Sequence, residues 1–173
     1  MTPTPDRHSG WVVAPTSVRH PEAAALLRDY YVEVADRYRL LHLGRRSTVA
    51  ELDRELTADP ADDLVPPRGL FILGRFNGDP VACVGLRALG HDVIELTRVF
   101  VRRRWRGIGG GRHLLTAAET AATALGATRV VLDTRLDLVE ARALYRRNGY
   151  VEIPAYNTSD YAEVWYGKSL SCP

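Results

Sequence analysis

The chain has 173 residues, a formal net charge of +2, and 46% hydrophobic and 25% charged residues. This length fits one domain, and the composition matches that of globular proteins, which excludes disordered, collagen-like and fibrous classes. The small net charge gives no indication of a general polyanion-binding surface.

Targeting and metal signals are absent from the sequence. It has neither a run of about 18 apolar residues nor a basic-then-apolar leader, so we expect a cytoplasmic protein with no membrane partner. Cys83 and Cys172 have no CxxC or CxxH neighbour, which argues against a disulfide scaffold and a zinc module. His42, His91 and His113 have no ligand-spaced partner, and we expect no metal site.

In the N-terminal part, residues 1–10 are predicted to form a flexible tail, and residues 11–173 a single domain. A short strand is predicted at 11–14, followed by two helices over about 21–43 and 49–56. Apolar residues recur at the helical period along one face of the first helix, at Ala24, Leu27, Tyr31, Val34, Tyr38 and Leu41.

The rest of the chain alternates between strand and helix patterns. Two apolar runs flank the turn-like sequence Asn-Gly-Asp-Pro at 77–80 and predict an antiparallel hairpin. The predicted order is strand, strand, strand, helix, strand, helix, strand, strand, over about 70–73, 81–84, 93–101, 110–125, 130–132, 141–147, 150–153 and 163–169.

The glycine-rich segment RWRGIGGGRHLL, residues 104–115, lies between a predicted strand and a predicted helix. Glycines let the backbone turn tightly and point its N–H groups at one spot. Together with the positive end of the helix, these donors favour phosphate or diphosphate, and Arg104, Arg106 and Arg112 add charge-assisted hydrogen bonds. The alternative to a phosphate-binding loop is a glycine-rich turn that binds no ligand.

Only one phosphate-loop pattern fits this segment. No GK[ST] follows, and a GxGxxG pattern starting at Gly107 would need glycine where Arg112 stands. The pattern [QR]xxGx[GA] fits from Arg104, with Gly107 and Gly109, and again two residues later, from Arg106.

In this loop the sequence resembles the GNAT superfamily of N-acetyltransferases. Three further stretches match in the family's order: IELTRVFV at 94–101, RVVLDT at 129–134 and ARALYRRNGYVEI at 141–153. The resemblance implies an α/β (α+β) fold with a mixed, mostly antiparallel seven-stranded sheet, splayed between its fourth and fifth strands and flanked by about four helices. It also implies acetyl-CoA as cofactor and direct transfer of the acetyl group to a primary amine of a small molecule, peptide or protein.

The resemblance also assigns a cofactor site. The main chain of Val99, Phe100 and Val101 would pair with the pantetheine arm, and an N–H near Val99 would stabilise the oxyanion. The remaining cofactor-binding residues are Arg104, Arg106, Gly107, Ile108, Gly109, Gly110, Gly111, Arg112 and Tyr145. Leu138 departs from the family, which often has a cofactor-contacting asparagine there; Asp137 is adjacent.

Two catalytic candidates follow from the same alignment. Tyr145 matches the general acid that protonates the departing thiolate, and the alternative is a core tyrosine. Glu95 aligns with the general base of protein-acetylating members. The alternative is that Glu95 is a strand residue paired with Arg98. In that case a chain of water molecules would serve as the base.

The C-terminal segment supplies Tyr156, Asn157 and Tyr161 as candidate amine-binding residues. Packing between strands or a homodimer contact would use the same aromatic residues. Two rival functions remain. One is a non-catalytic acyl-CoA sensor, and the other is nucleic-acid binding through the arginines at 102–104 and 106. We do not expect nucleic acid, because Lys168 is the only lysine and arginine is abundant throughout the chain.

Overall fold

The structure, a computed structural model, describes residues 10–90 and 92–171. In chain order its helices and strands are β1 (Trp11–Pro15), α1 (Pro21–Leu43), α2 (Val49–Ala58), β2 (Gly69–Phe76), β3 (Asp79–Ala88), β4 (Val93–Val101), α3 (Gly110–Ala124), β5 (Arg129–Thr134), α4 (Val139–Arg147), β6 (Val151–Ile153) and β7 (Val164–Ser169). The predicted order of elements is confirmed. The predicted tail lies outside the described residues except for Gly10.

The seven strands form one sheet in the order β1-β2-β3-β4-β5-β7-β6. Neighbouring strands are antiparallel except β4 and β5, which run parallel. This parallel pairing joins only residues 93–95 to residues 129–131, although β4 continues to Val101 and β5 to Thr134. The two strands therefore separate beyond their short pairing, which is the predicted splay.

Strand β4 contains a bulge at Arg98, whose φ of +53° lies in the left-handed region. Two residues of β4 there face one residue of β3. The Arg98 side chain is buried, with one terminal nitrogen 2.7 Å from an Asp59 carboxylate oxygen. Because the extra residue reverses the alternation of faces, Leu96 packs on one face of the sheet and Phe100 on the other.

Each face of the sheet carries its own hydrophobic core. The larger core includes Leu114 and Leu115 of α3 and Tyr145 of α4. The smaller core joins Leu26 and Leu27 of α1 to the other face of β2, β3 and β4. Among the described residues, no helix combines the length and apolarity that crossing a bilayer requires.

Helix α1 buries a different face from the one its periodicity predicts. Of that face Leu27 is buried, but Ala24 and Leu41 are exposed. The buried residues are Ala23, Leu26, Leu27 and Ala35. Burial is concentrated in the N-terminal half because Ala23, Leu26 and Leu27 pack in the smaller core, whereas the C-terminal end is exposed.

Candidate functional site

The glycine-rich segment forms a bend that leads from β4 into α3. Gly107 and Gly109 have φ of +78° and +93°, which glycine adopts without a Cβ penalty. Helix α3 begins at Gly110, and the His113 N–H donates to the Gly109 carbonyl. The N–H groups of Gly110, Gly111 and Arg112 precede this bond, so they have no carbonyl in their own helix to pair with. They are donors at the positive end of α3.

Two of the glycines are closely packed by side chains. A Cβ on Gly110 would lie 2.5 Å from ring atoms of Trp11, and a Cβ on Gly111 would lie 2.7 Å from Leu144. The Trp11 indole N–H also donates to the Ile108 carbonyl at 2.9 Å. The first strand thus supports the bend, a contact that nothing in the local sequence around Trp11 indicates.

The outer side of the bend is open. A Cβ on Gly107 would meet no atom within 4 Å, and one on Gly109 would meet only the His113 ring, at 3.7 Å. An exposed main chain with helix-terminal N–H donors is the environment that phosphate oxygens favour. The residues present therefore fit the diphosphate of a coenzyme.

The predicted cofactor-binding arginines differ in their surroundings. Arg104 is exposed and stacks on Trp105, and Arg112 is also exposed. The Arg106 side chain is anchored: its Nε donates to the Val101 carbonyl at 2.8 Å and its NH2 to Glu33 of α1 at 2.6 Å. A diphosphate would have to compete with Glu33 for Arg106.

The β4 edge predicted to bind pantetheine lies in the splay. Phe100 and Val101 pair with β3 on one side, while the pairing with β5 has already ended. An unpaired strand edge can hydrogen-bond an extended amide chain. The Val101 carbonyl, however, already accepts the Arg106 hydrogen bond.

Tyr145, the predicted acid, is 5% exposed in the larger core and contacts the rings of Tyr150 and Tyr166, each with centroids 5.9 Å away. Burial raises the pKa of its phenol, and the Tyr30 and Asp133 side chains add to the rise. No described residue forms a hydrogen bond with its hydroxyl. The phenol therefore keeps its proton at neutral pH.

Glu95, the predicted base, is 3% exposed, and both of its carboxylate oxygens accept hydrogen bonds. Its Oε2 accepts hydrogen bonds from Arg87, whose Nε lies 2.9 Å away, and Arg87 also pairs with Asp63 at 2.9 Å. Its Oε1 accepts from the Tyr156 hydroxyl at 2.8 Å. The partner proposed from sequence, Arg98, pairs with Asp59 instead.

A second carboxylate, Asp133 of β5, lies near Glu95. The Asn157 amide donates to its Oδ2 at 2.6 Å, and the Trp165 indole N–H donates to the Asn157 Oδ1 at 2.8 Å. Burial raises the pKa of Asp133, the Asn157 hydrogen bond partly offsets this, and the charge of Glu95 adds to the rise. Sequence reasoning missed Asp133, although a lone carboxylate within the apolar RVVLDT strand was a signal.

The structure joins two of the three predicted amine-binding residues to these carboxylates. Tyr156 contacts Glu95, and Asn157 contacts Asp133. Tyr161 lies apart, exposed, with its ring edge-on to Tyr38 of α1 at 5.2 Å.

Other singled-out residues have structural contacts. Asp137 accepts a hydrogen bond from Arg135 at 2.8 Å and forms an ion pair with Arg37. The His42 ring packs against Tyr38, and the His113 ring packs against Trp11. His91 lies outside the described residues. Within the described ranges, no group of three or more His, Cys, Asp or Glu side chains is arranged to hold a metal ion.

The segment that carries most of this site also matches a known family. Residues 26–150 match the Acetyltransferase (GNAT) family. The chain belongs to the GNAT acetyltransferase family. A Schizosaccharomyces pombe protein named as an uncharacterized N-acetyltransferase is 30% identical to this GNAT protein over 129 residues, which are 73% of this chain and 78% of the relative.

Solved structures of GNAT proteins share the fold. An acetyltransferase from Streptococcus agalactiae gives a TM-score of 0.72 at 22% identity, covering 93% of this chain and 99% of the other. A GNAT family acetyltransferase from Elizabethkingia anophelis, solved with acetyl-CoA bound, gives 0.61 at 15% identity, covering 93% and 99%. At these identities the similarity shows the fold alone, and it confirms the fold class expected from the sequence.

Proposed function

We propose that this GNAT protein transfers an acetyl group from acetyl-CoA directly to a primary amine of a small molecule, peptide or protein. The observation that carries the proposal is the gap between β4 and β5, with the open glycine bend following β4. Family membership and the acetyl-CoA bound to the Elizabethkingia relative support the choice of cofactor.

In this proposal the bend holds the diphosphate through the N–H groups of residues 107–112, with Arg104, Arg106 and Arg112 contributing charge. The edge of β4 at 99–101 holds the pantetheine arm. When bound, acetyl-CoA supplies an activated acetyl thioester. An N–H near Val99, at the bulge, would donate to the developing oxyanion.

Tyr145 is the proposed general acid. Its buried phenol stays protonated, and its hydroxyl is not bonded to another described residue, so it is available to donate. A positioned proton donor typically accelerates such a step by about 10²–10⁴-fold.

The proposed amine site lies at Glu95, Tyr156 and Asn157. An amine acceptor arrives mostly as an ammonium ion, which carboxylates attract and which must lose a proton before it attacks. Two carboxylates on this part of the sheet, Glu95 and Asp133, provide the negative charge.

The experiment combines acetyl-CoA binding by titration calorimetry with thiol release over a panel of primary amines. Wild-type protein is expected to bind acetyl-CoA and to release CoA thiol with at least one amine. Tyr145→Phe is expected to lower kcat by about 10²–10⁴-fold with little change in the Kd for acetyl-CoA.

Tyr150→Phe is the matched control, because Tyr150 is a buried tyrosine beside Tyr145 that donates to Glu119 at 2.9 Å. It is expected to keep kcat. Equal kcat in Tyr145→Phe and wild type contradicts the acid assignment. Acetyl-CoA binding without thiol release for any amine identifies the non-catalytic sensor instead.

A further inference from the structure

We propose that Asp133 binds the acceptor's ammonium group and accepts its proton, and that Glu95 is a positioning residue that holds the Tyr156 segment in place. This inference rests on the proposed acetyl transfer and assigns the amine site within it.

Both carboxylate oxygens of Glu95 already accept hydrogen bonds from described residues. Arg87 occupies Oε2 and the Tyr156 hydroxyl occupies Oε1, and the side chain is nearly inaccessible. Arg87 also forms an ion pair with Glu95. A base needs a lone pair that the substrate can reach, and only 4% of the Glu95 side chain is exposed.

Asp133 has the opposite arrangement. It is only partly buried, and its Oδ2 alone is engaged, by Asn157. Trp165 holds the Asn157 carbonyl oxygen, which fixes the amide so that its NH₂ group faces Asp133. Asp133 forms no ion pair with any described residue, and its Oδ1 accepts no hydrogen bond from the described part of the chain. One oxygen is thus held in place while the other is free for a cation.

The position of Asp133 suits an amine that meets the thioester in the splay. It follows Val131, the last β5 residue paired with β4, so it lies where the two strands separate. Leu132 points into the larger core, which turns Asp133 to the opposite face, the face of Val131.

Four titratable or charged side chains act on Asp133 or respond to its charge: Glu95, Arg87, Tyr145 and Tyr156. The charge of Glu95 and burial both raise the pKa of Asp133 and make the carboxylate a stronger proton acceptor, while Arg87 acts in the other direction. Because the charge of Asp133 also affects Tyr145, the proposed base and the proposed acid belong to one electrostatic site.

The ammonium gives one proton to Asp133, which passes it to solvent. The nitrogen lone pair then forms the amide bond to the acetyl carbon, the C–S bond breaks, and the departing sulfur takes the Tyr145 proton. The second proton lost by the nitrogen restores the phenol.

The activity test compares Asp133→Asn with Glu95→Gln, using an alkyl amine that the wild type accepts. At pH 7, Asp133→Asn is expected to lose about 10²-fold or more in kcat/KM. Its kcat/KM should rise with pH up to the pKa of the amine, whereas the wild type levels off earlier, once Asp133 is ionised. Glu95→Gln should keep the wild-type profile with a smaller loss.

A second readout needs no acetyl-CoA. With aspartate carboxyl carbons labelled with ¹³C, NMR follows the ionisation of Asp133, whose signal Asp133→Asn identifies by its loss. We expect a titration midpoint above that of ordinary aspartates and a shift of this signal when the same amine is added. Asp133→Ser repeats both tests if Asp133→Asn folds poorly.

Full activity of Asp133→Asn with the wild-type pH profile, or an Asp133 signal unaffected by the amine, overturns the inference and leaves the proposed transfer intact. If Glu95→Gln, and not Asp133→Asn, loses the wild-type rise of kcat/KM at acidic pH, Glu95 is the base. A wild-type protein that neither binds acetyl-CoA nor releases thiol rejects the proposed function, and this inference with it.

Discussion

The single residue Asp133 is expected to lower the folding stability at neutral pH, because its ionised carboxylate is partly buried near Glu95. Burial and the neighbouring Glu95 charge raise its pKa in the folded protein, relative to about 3.9 for an unfolded aspartate. The folded state therefore binds this proton more tightly than the unfolded state does. It follows that stability falls as the pH rises from the unfolded pKa through the folded one.

Asp133→Asn is accordingly expected to raise the free energy of unfolding at pH 7, because it removes the ionised form. The gain should shrink as the pH falls through the raised pKa of Asp133, because the wild-type carboxyl then becomes protonated as well. Denaturant unfolding of the wild type and of Asp133→Asn across this pH range measures the difference in the free energy of unfolding. Glu95→Gln is the contrasting variant: it leaves the Arg87 pair broken and is expected to destabilise. A less stable Asp133→Asn at neutral pH contradicts the electrostatic account.

The residue identities were only partly predictable. The motif resemblance pointed to Tyr145 and Glu95, and to Tyr156 and Asn157 in the C-terminal segment. It did not show that Glu95 is bonded to Arg87, or that only one Asp133 oxygen is bonded within the described part of the chain. These contacts join β3, β4, β5 and the segment before β7 across the sheet.

At the scale of elements, the bend before α3 depends on the first strand. Trp11 of β1 packs against Gly110 and hydrogen-bonds Ile108, so a strand far away in sequence shapes the proposed diphosphate site. The two glycines with positive φ set the path of the bend, while Gly110 and Gly111 let neighbouring side chains approach. The role of Gly107 and Gly109 could be predicted from the sequence. The role of Gly110 and Gly111 became clear only from the packing in the structure.

Gly110→Ala is expected to destabilise the protein by about 1–3 kcal/mol, the usual cost of overpacking, because its Cβ would lie 2.5 Å from the Trp11 ring. The displaced ring should also weaken acetyl-CoA binding. Denaturant midpoints and calorimetric Kd values measure the two effects.

Gly90→Ala is the matched control, because a Cβ there meets nothing within 4 Å and Gly90 is exposed. It should leave both quantities near wild type. Equal behaviour of the two variants would show that the Trp11 contact does not shape the bend.

At the scale of the whole molecule, one sheet carries a core on each face, and β3 contributes to both. Val84 and Leu86 face one core and Cys83 the other. Because β3 packs in both cores, loss of either core exposes this strand, and the two cores are expected to unfold together.

Cys83 reports on this cooperativity. It is fully buried, and burial raises the pKa of its thiol to about 12, so the reactive thiolate is scarce at neutral pH. In a Cys172→Ser background, we expect Cys83 to react with a thiol reagent only as fast as the protein unfolds globally. The labelling rate should rise with denaturant in parallel with the unfolding rate. Rapid labelling that is independent of denaturant would indicate local opening of β3.

The sequence by itself determined the order of helices and strands, the glycine bend and, through its motifs, the GNAT fold. These depend on side-chain period, turn chemistry and residues close together in the chain. Only the tertiary structure showed the buried face of α1, the support of the bend by Trp11 and the contacts on which the proposed choice of Asp133 over Glu95 rests. Strand register and packing bring together residues far apart in sequence, and the ion pairs and hydrogen bonds formed there determine which carboxylate oxygens are bonded among the described residues.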